Sequence, residues 1–123
     1  MLLDTNIVIE ACKPMGDWLY PWTKHLEAAC ASVTVVEALG FTGISAGENA
    51  AIREFLGEVL CYALDDAVIE LAVRLRQQKK MNLGDAIIGA TALEYGVPLV
   101  TRNVDDFKHI PGLDLRNPFA PGA

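Results

Sequence analysis

The chain has 123 residues, 52% of them hydrophobic, and a formal net charge of −6. That length predicts one domain with ample material for a core, and an apolar surplus that a partner or a second copy would partly cover. The charge excludes a nucleic-acid binder that works through a broad basic face, and no uncharged apolar run is long enough to span a membrane.

In chain order, Leu2–Asp4 reads as a short buried strand, and Asn6–Cys12 as one or two helical turns. The spacing of Trp18, Trp22, Leu26 and Ala29 predicts a helix over Asp17–Ala29, with Pro21 near its start or at a kink. Trp18, Tyr20 and Trp22 read as core or interface residues, with base stacking as the other use of such rings. Ala31–Val33 is predicted as a strand, followed by a helix through Glu37 that stops near Gly40. Gly47–Val59 is a helix with Ile52, Phe55 and Val59 on one face, and Leu60–Leu64 a strand. Asp65 or Asp66 caps a long helix to about Lys80, and Asn82 caps another to Tyr95, with Gly96 and Pro98 as its stop. Pro98–Thr101 is a strand and Leu113–Leu115 a last edge strand, before a loosely held tail over Asn117–Ala123. Strands alternating with helices imply an α/β fold, a central parallel β-sheet flanked by helices on both faces.

Cys12, Cys30 and Cys61 stand far apart in apolar sequence and read as small core residues of a cytoplasmic protein. No cysteine pair has zinc spacing, and His25 and His109 have no evident nucleophile beside them. Asp4 and Glu10 interrupt the N-terminal apolar stretch, which argues against a secretory leader.

The acids carry the chemistry. Asp4 ends the first strand, Glu37 lies in the helix after the second, and Asn103, Asp105 and Asp106 follow the strand ending at Thr101. Asp85 opens the helix that feeds that strand. In a right-handed βαβ unit the crossover helix starts at the strands' carboxyl edge, so all four segments can present carboxylates on one edge. Carboxylates that converge need a compensating cation. An oxygen-only ligand set suits Mg²⁺ or Mn²⁺, and such ions serve phosphodiester hydrolysis by acidifying water and stabilising a leaving oxygen. Each acid also has a reading as a helix cap. Asp4 precedes a helix, and Thr34–Glu37, Asn82–Asp85 and Asn103–Asp106 all have capping-box spacing.

Leu2-Leu3-Asp4-Thr5-Asn6, Val35-Val36-Glu37-Ala38-Leu39, Leu83-Gly84-Asp85-Ala86 and Val100-Thr101-Arg102-Asn103-Val104-Asp105-Asp106-Phe107 resemble the signature blocks of the PIN-domain ribonucleases. More narrowly, they resemble the VapC-like toxins of type II toxin–antitoxin modules. The resemblance covers nearly the whole chain, in order. It implies a single PIN-like nuclease domain over residues 1–123 and Mg²⁺- or Mn²⁺-dependent endoribonuclease activity. It also implies an RNA substrate, a homodimer and a cognate antitoxin.

By that resemblance Asp4, Glu37, Asp85 and Asp106 are the catalytic acids, and the same four with Asn103 hold metal. Asn103 stands where the family often has Asp, which leaves a second metal position open. Thr5, Asn6 and Arg102 are the substrate-side residues: Thr5 toward phosphate or a water, Asn6 bracing Asp4, Arg102 toward phosphate. The basic run Arg74, Arg76, Lys79 and Lys80 either tracks RNA backbone or is a solvated face. Two rivals stand beside this reading. One is a haloacid-dehalogenase-like phosphatase, which needs a second acid two residues after the first, where this chain has Asn6. The other is a non-catalytic protein-binding module whose acids only cap helices.

Overall fold

The computed structural model describes residues 1–24 and 26–122, so His25 lies outside the described residues. One parallel five-stranded sheet organises the chain, in the order β3-β2-β1-β4-β5. The strands are β1 (Leu2–Leu3), β2 (Ala29–Ala31), β3 (Leu60–Tyr62), β4 (Leu99–Val100) and β5 (Leu115–Arg116). The helices are α1 (Thr5–Ala11), α2 (Tyr20–Thr23), α3 (Ser32–Leu39), α4 (Ala46–Glu58), α5 (Asp66–Gln78) and α6 (Leu83–Tyr95). Short 3-10 turns cover Gly16–Leu19 and Val104–Asp106.

The strands are short, so alternation does the sorting. Leu2 pairs with Ala29 on one side and Leu99 on the other. All three belong to the core cluster packed under α5 and α6, with Ala72, Leu75 and Ile88. Their neighbours Leu3, Cys30 and Val100 point the other way and pack with Ile7, Val8 and Phe55 from α1 and α4. A period of two residues thus buries both faces of the sheet, as a covered parallel sheet requires.

The chain runs outward from β1 through β2 to β3, then crosses back to β4 on the other side of β1. The gap between β1 and β4 is therefore a topological switch point, where α/β proteins open a crevice at the strands' carboxyl ends. Asp4 and Thr101 directly follow those two strands.

Several boundaries differ from the sequence reading. β2 begins at Ala29, two residues early, and the predicted Asp17–Ala29 helix shrinks to a 3-10 turn and one turn of α2. Pro21 occupies the first turn of α2, where its missing N–H costs nothing. Of the three rings read as core or interface residues, Trp22 packs against the second core cluster, whereas Trp18, 46% exposed, and Tyr20, 48% exposed, are not core. Cys30 is buried, and burial pushes its thiol up to about 12, whereas Cys61 is exposed on the edge strand β3 rather than in the core. In the tail, Asn117 donates to the Arg102 carbonyl and accepts the Phe119 N–H. No helix is long and apolar enough to cross a membrane among the described residues.

Candidate active site at the switch point

Asp4 caps α1 and is 4% exposed. Its Oδ1 accepts the Thr5 backbone N–H at 2.8 Å. Its Oδ2 accepts the Thr101 hydroxyl at 2.7 Å and the Asn6 side-chain amide at 3.1 Å. Burial raises the Asp4 pKa and the neighbouring Glu37 adds to it, while the bonds from Thr101, Thr5 and Asn6 oppose the rise. The carboxylate is thus oriented by donors from α1 and from the residue that follows β4. Thr101 in turn accepts the Asn103 N–H at 3.0 Å, which fixes the start of the Asn103–Asp106 loop.

Glu37 reaches the same edge from the second turn of α3. Because β2 ends early, α3 starts at Ser32 with Ala31 as its cap, so Thr34–Glu37 is not a capping box. Instead Thr5 Oγ1 donates to Glu37 Oε1 at 2.6 Å and lies 3.1 Å from the buried Thr34 hydroxyl. The other carboxylate oxygen of Glu37 lies over Gly84, where any Cβ would collide with it. That close approach explains the glycine before Asp85.

Asp85 sits in the first turn of α6, whose cap Asn82 accepts the Asp85 N–H at 2.8 Å. Its carboxyl is pushed up to about 6, first by desolvation and then by repulsion from Asp4, Asp106 and Glu37. Asp4, Asp106 and Glu37 therefore all act on Asp85 through space. Asp106 is brought in by the 3-10 turn after β4, and Asn103 has no side-chain capping bond there. Gly89, one turn after Asp85 on α6, lets Ile110 and Phe107 approach the helix closely, with a Cβ there only 3.1 Å from Ile110 Cδ1. Nothing in the sequence pattern marked Gly89, since its role appears only when the Asp106 segment packs against α6.

Two clefts flank these acids and share Asp105 and Asp106. One, of about 200 Å³, is lined by Lys79, Lys80, Asn82, Asp85 and His109. Both ring nitrogens of His109 are buried there without a hydrogen-bond partner. The other, of about 410 Å³, is lined by Arg102, Asn103, Val104 and Asn117. Lys79 and Lys80 thus reach the site, whereas Arg76 donates to the Met81 carbonyl at 3.3 Å and Arg74 lines neither cleft. Arg102 turns its guanidinium onto the Phe119 ring, 4.3 Å from the centroid. A larger apolar groove of about 880 Å³ lies between α5 and α6, away from Asp4 and Glu37.

The donors are hard oxygens whose mutual repulsion a divalent cation would relieve, so Asp4, Glu37, Asp85 and Asp106 fit Mg²⁺ or Mn²⁺ in chemistry. Among the described residues no three acidic, histidine or cysteine side chains close around a common point. Capping accounts for Asn82 and for one bond of Asp4, but not for Glu37 or Asp106. Asn6, at the position where a phosphatase of the rival type needs an acid, spends its amide on Asp4 and on the Arg102 N–H at 3.3 Å.

The PIN domain family model matches residues 1–113. No curated protein matches the chain closely enough to count as a relative. A toxin–antitoxin complex from Klebsiella pneumoniae is similar over 96% of this chain and 97% of its own, at 29% identity and a TM-score of 0.79. A DNA-bound VapBC complex from Salmonella typhimurium shares 20% identity over 95% of this chain and 96% of its own, with a TM-score of 0.82. VapBC2 from Rickettsia felis, bound to a DNA fragment from its promoter, shares 23% identity over 94% and 96%, with a TM-score of 0.79. These last two likenesses speak to the fold alone. With four signature blocks gathered on one sheet edge and a family model spanning nearly its full length, the chain belongs to the PIN domain family.

Proposed function

We propose that this chain is the ribonuclease toxin of a toxin–antitoxin pair, an endoribonuclease dependent on Mg²⁺ or Mn²⁺. The observation that carries the reading is Asp85, a half-buried carboxyl raised first by desolvation and then by three other acids delivered from three separate elements. Stability alone gives no reason to route them together, because like charges at one edge are destabilising. The likeness to the Klebsiella pneumoniae toxin–antitoxin complex supports the assignment to a toxin.

In this reading Asp4, Asp85 and Glu37 would hold the cation, with Asp106 and Asn103 as its further ligands. When bound, Mg²⁺ or Mn²⁺ neutralises the scissile phosphate and acidifies the attacking water. The rest is done by the chain. Thr101, Thr5 and Asn6 hold the Asp4 carboxylate in one orientation. The Thr5 hydroxyl occupies one oxygen of Glu37 and so fixes the plane of that carboxylate. Lys79 and Lys80 supply positive charge along the RNA backbone on the Asp85 side. Water oxygen attacks phosphorus in line, the 3′ oxygen leaves with the proton, and the products carry 5′-phosphate and 3′-hydroxyl ends. No protein nucleophile takes part. Positioning and charge neutralisation provide most of the acceleration. Partners in this reading are RNA, a cognate antitoxin and a second copy of the chain, in a cytoplasmic protein formed by one nuclease domain. The exposed apolar residues Val36, Ile69, Val73 and Leu83 offer surface for such assembly.

The test is cleavage of a structured RNA by the purified chain, with Mn²⁺, with Mg²⁺ and with neither, using Asp85→Asn as control. Cutting that needs the metal and vanishes in the variant is expected. Cutting that persists in Asp85→Asn would mean a contaminating nuclease or a different site. Absence of cutting, with no metal-induced rise in melting temperature, would favour the binding-module reading.

A further inference from the structure

Beside the acids, on the Asn103 side, three side chains make a surface that catalysis by carboxylates does not use. Trp18 meets Phe119 edge to face, with ring centroids 4.9 Å apart and planes at 86°. The Arg102 guanidinium covers Phe119 at 4.3 Å. Trp18 remains 46% exposed, although a tryptophan with no outside role is generally well buried. Arg102 has no ion pair among the described residues, despite the chain's excess of acids. Its position is fixed through its backbone: the N–H donates to Asn6 Oδ1 at 3.3 Å and the carbonyl accepts from Asn117 Nδ2 at 3.5 Å. Asn117 Oδ1 also accepts the Phe119 N–H at 2.9 Å, so one residue sets both halves of the stack. Arg102 and Asn117 then line the cleft of about 410 Å³ that ends on Asn103 and Asp106.

We propose that Arg102, Phe119 and Trp18 form a stacking platform for an unpaired base of the RNA, next to the phosphate that is cut. The proposal rests on the ribonuclease reading and deepens it by naming a base-binding subsite. An arginine guanidinium held over an aromatic ring is preorganised to receive a nucleobase on its open face. Such stacking tolerates any base, because every base has a π-face, and it selects single-stranded over paired RNA. The link to chemistry is direct. Asn6 bonds both the Arg102 backbone and the Asp4 carboxylate, so the seated base and the cutting acid share one rigid bracket.

The experiment measures binding by fluorescence anisotropy, using the full chain carrying Asp85→Asn so that RNA stays intact. The probes are a labelled single-stranded RNA and the same strand with abasic nucleotides. The Asp85→Asn chain is expected to prefer the intact strand by about tenfold. Arg102→Lys keeps the charge but loses the plane. It is expected to abolish that preference while leaving the salt dependence of binding unchanged. Phe119→Ala and Trp18→Ala are expected to act in the same direction, with melting temperatures recorded to separate a binding loss from a folding loss. Should Phe119→Ala fail to fold, Arg102→Lys decides alone. Equal binding of intact and abasic strands by the Asp85→Asn chain, or an undiminished preference in Arg102→Lys, overturns the platform. Cleavage by the unsubstituted chain is assayed separately, and its failure would remove the nuclease reading rather than the base preference.

Discussion

Asp4 and Asp85 are two acids on one sheet edge, and they are held in opposite ways. Asp4 is nearly enclosed, and three donors from α1 and from the end of β4 satisfy its oxygens. Asp85 has only the Asn82 side chain to support its carboxyl, against desolvation and the charges of Asp4, Asp106 and Glu37. Both pKa values are raised, and burial leads in both. The difference lies in what opposes the rise. Asp4 is preorganised by the protein, whereas Asp85 is left for a counter-charge to complete. A site that binds its cation tightly from one side and loosely from the other would have this asymmetry.

The largest expected effect tests whether both corners serve one reaction. Asp85→Asn should lower RNA cleavage by at least about a thousandfold, because it removes charge that positions the phosphate through the cation. It should not lower the melting temperature, because it also removes a repelled carboxylate. A clear loss of stability in this variant would mean that Asp85 is structural, and the contrast with Asp4 would fail.

Thr101→Val probes the supported corner. It deletes the hydroxyl that Asp4 accepts and leaves a buried acceptor short of one bond, at a cost of about 1–3 kcal/mol. Chemical denaturation would measure it. An unchanged midpoint would show that Asp4 is held by Thr5 and Asn6 alone.

The pH dependence of stability should then separate the two. The Asp85 carboxyl titrates near 6 in the folded chain against an ordinary value of 3.8. Well below 3.8 the group is neutral in both states and costs nothing. As pH rises from 3.8 to about 6 the folded chain still holds a proton that the unfolded chain has released, so stability falls across that window and levels off above it. The melting temperature of the parent, compared with that of Asp85→Asn, should therefore fall by a few degrees between pH 4 and pH 7. Mg²⁺ or Mn²⁺ should restore it above pH 6 and do little at pH 4.5. A metal-induced shift of the same size at both pH values would place the cation elsewhere.

The smallest effect concerns the cap. Asn82→Ala removes the acceptor of the Asp85 N–H and should cost about 1 kcal/mol of stability. Because Asp85 lies in the same first turn, cleavage should fall modestly too. A stability loss with no change in cleavage would show that α6 positions Asp85 without its cap.

Much of this arrangement was legible in the sequence. The four motif blocks, the α/β alternation and the caps at Asp65 and Asn82 depend on local patterns that survive folding. The errors share a cause. The Asp17–Ala29 segment has helical spacing, but its residues 18 and 20 face solvent and its last residue pairs with β1. Local periodicity cannot tell a ring that packs on the core from one that packs on the tail. The Thr34–Glu37 spacing also mimicked a cap, because a one-turn motif carries no information on where its helix begins.

By itself the sequence determined which residues are acids, which elements carry them and, through strand and helix alternation, that those elements share a sheet edge. Only the tertiary structure decided how each acid is held. The Thr101–Asp4 bond joins residues 97 apart, and the close approach of Glu37 to Gly84 joins α3 to α6. The Arg102–Phe119–Trp18 stack joins three segments that no spacing connects. The physical reason is that burial, repulsion and stacking depend on separation in space. Chain patterns constrain that separation only within an element and its immediate crossover.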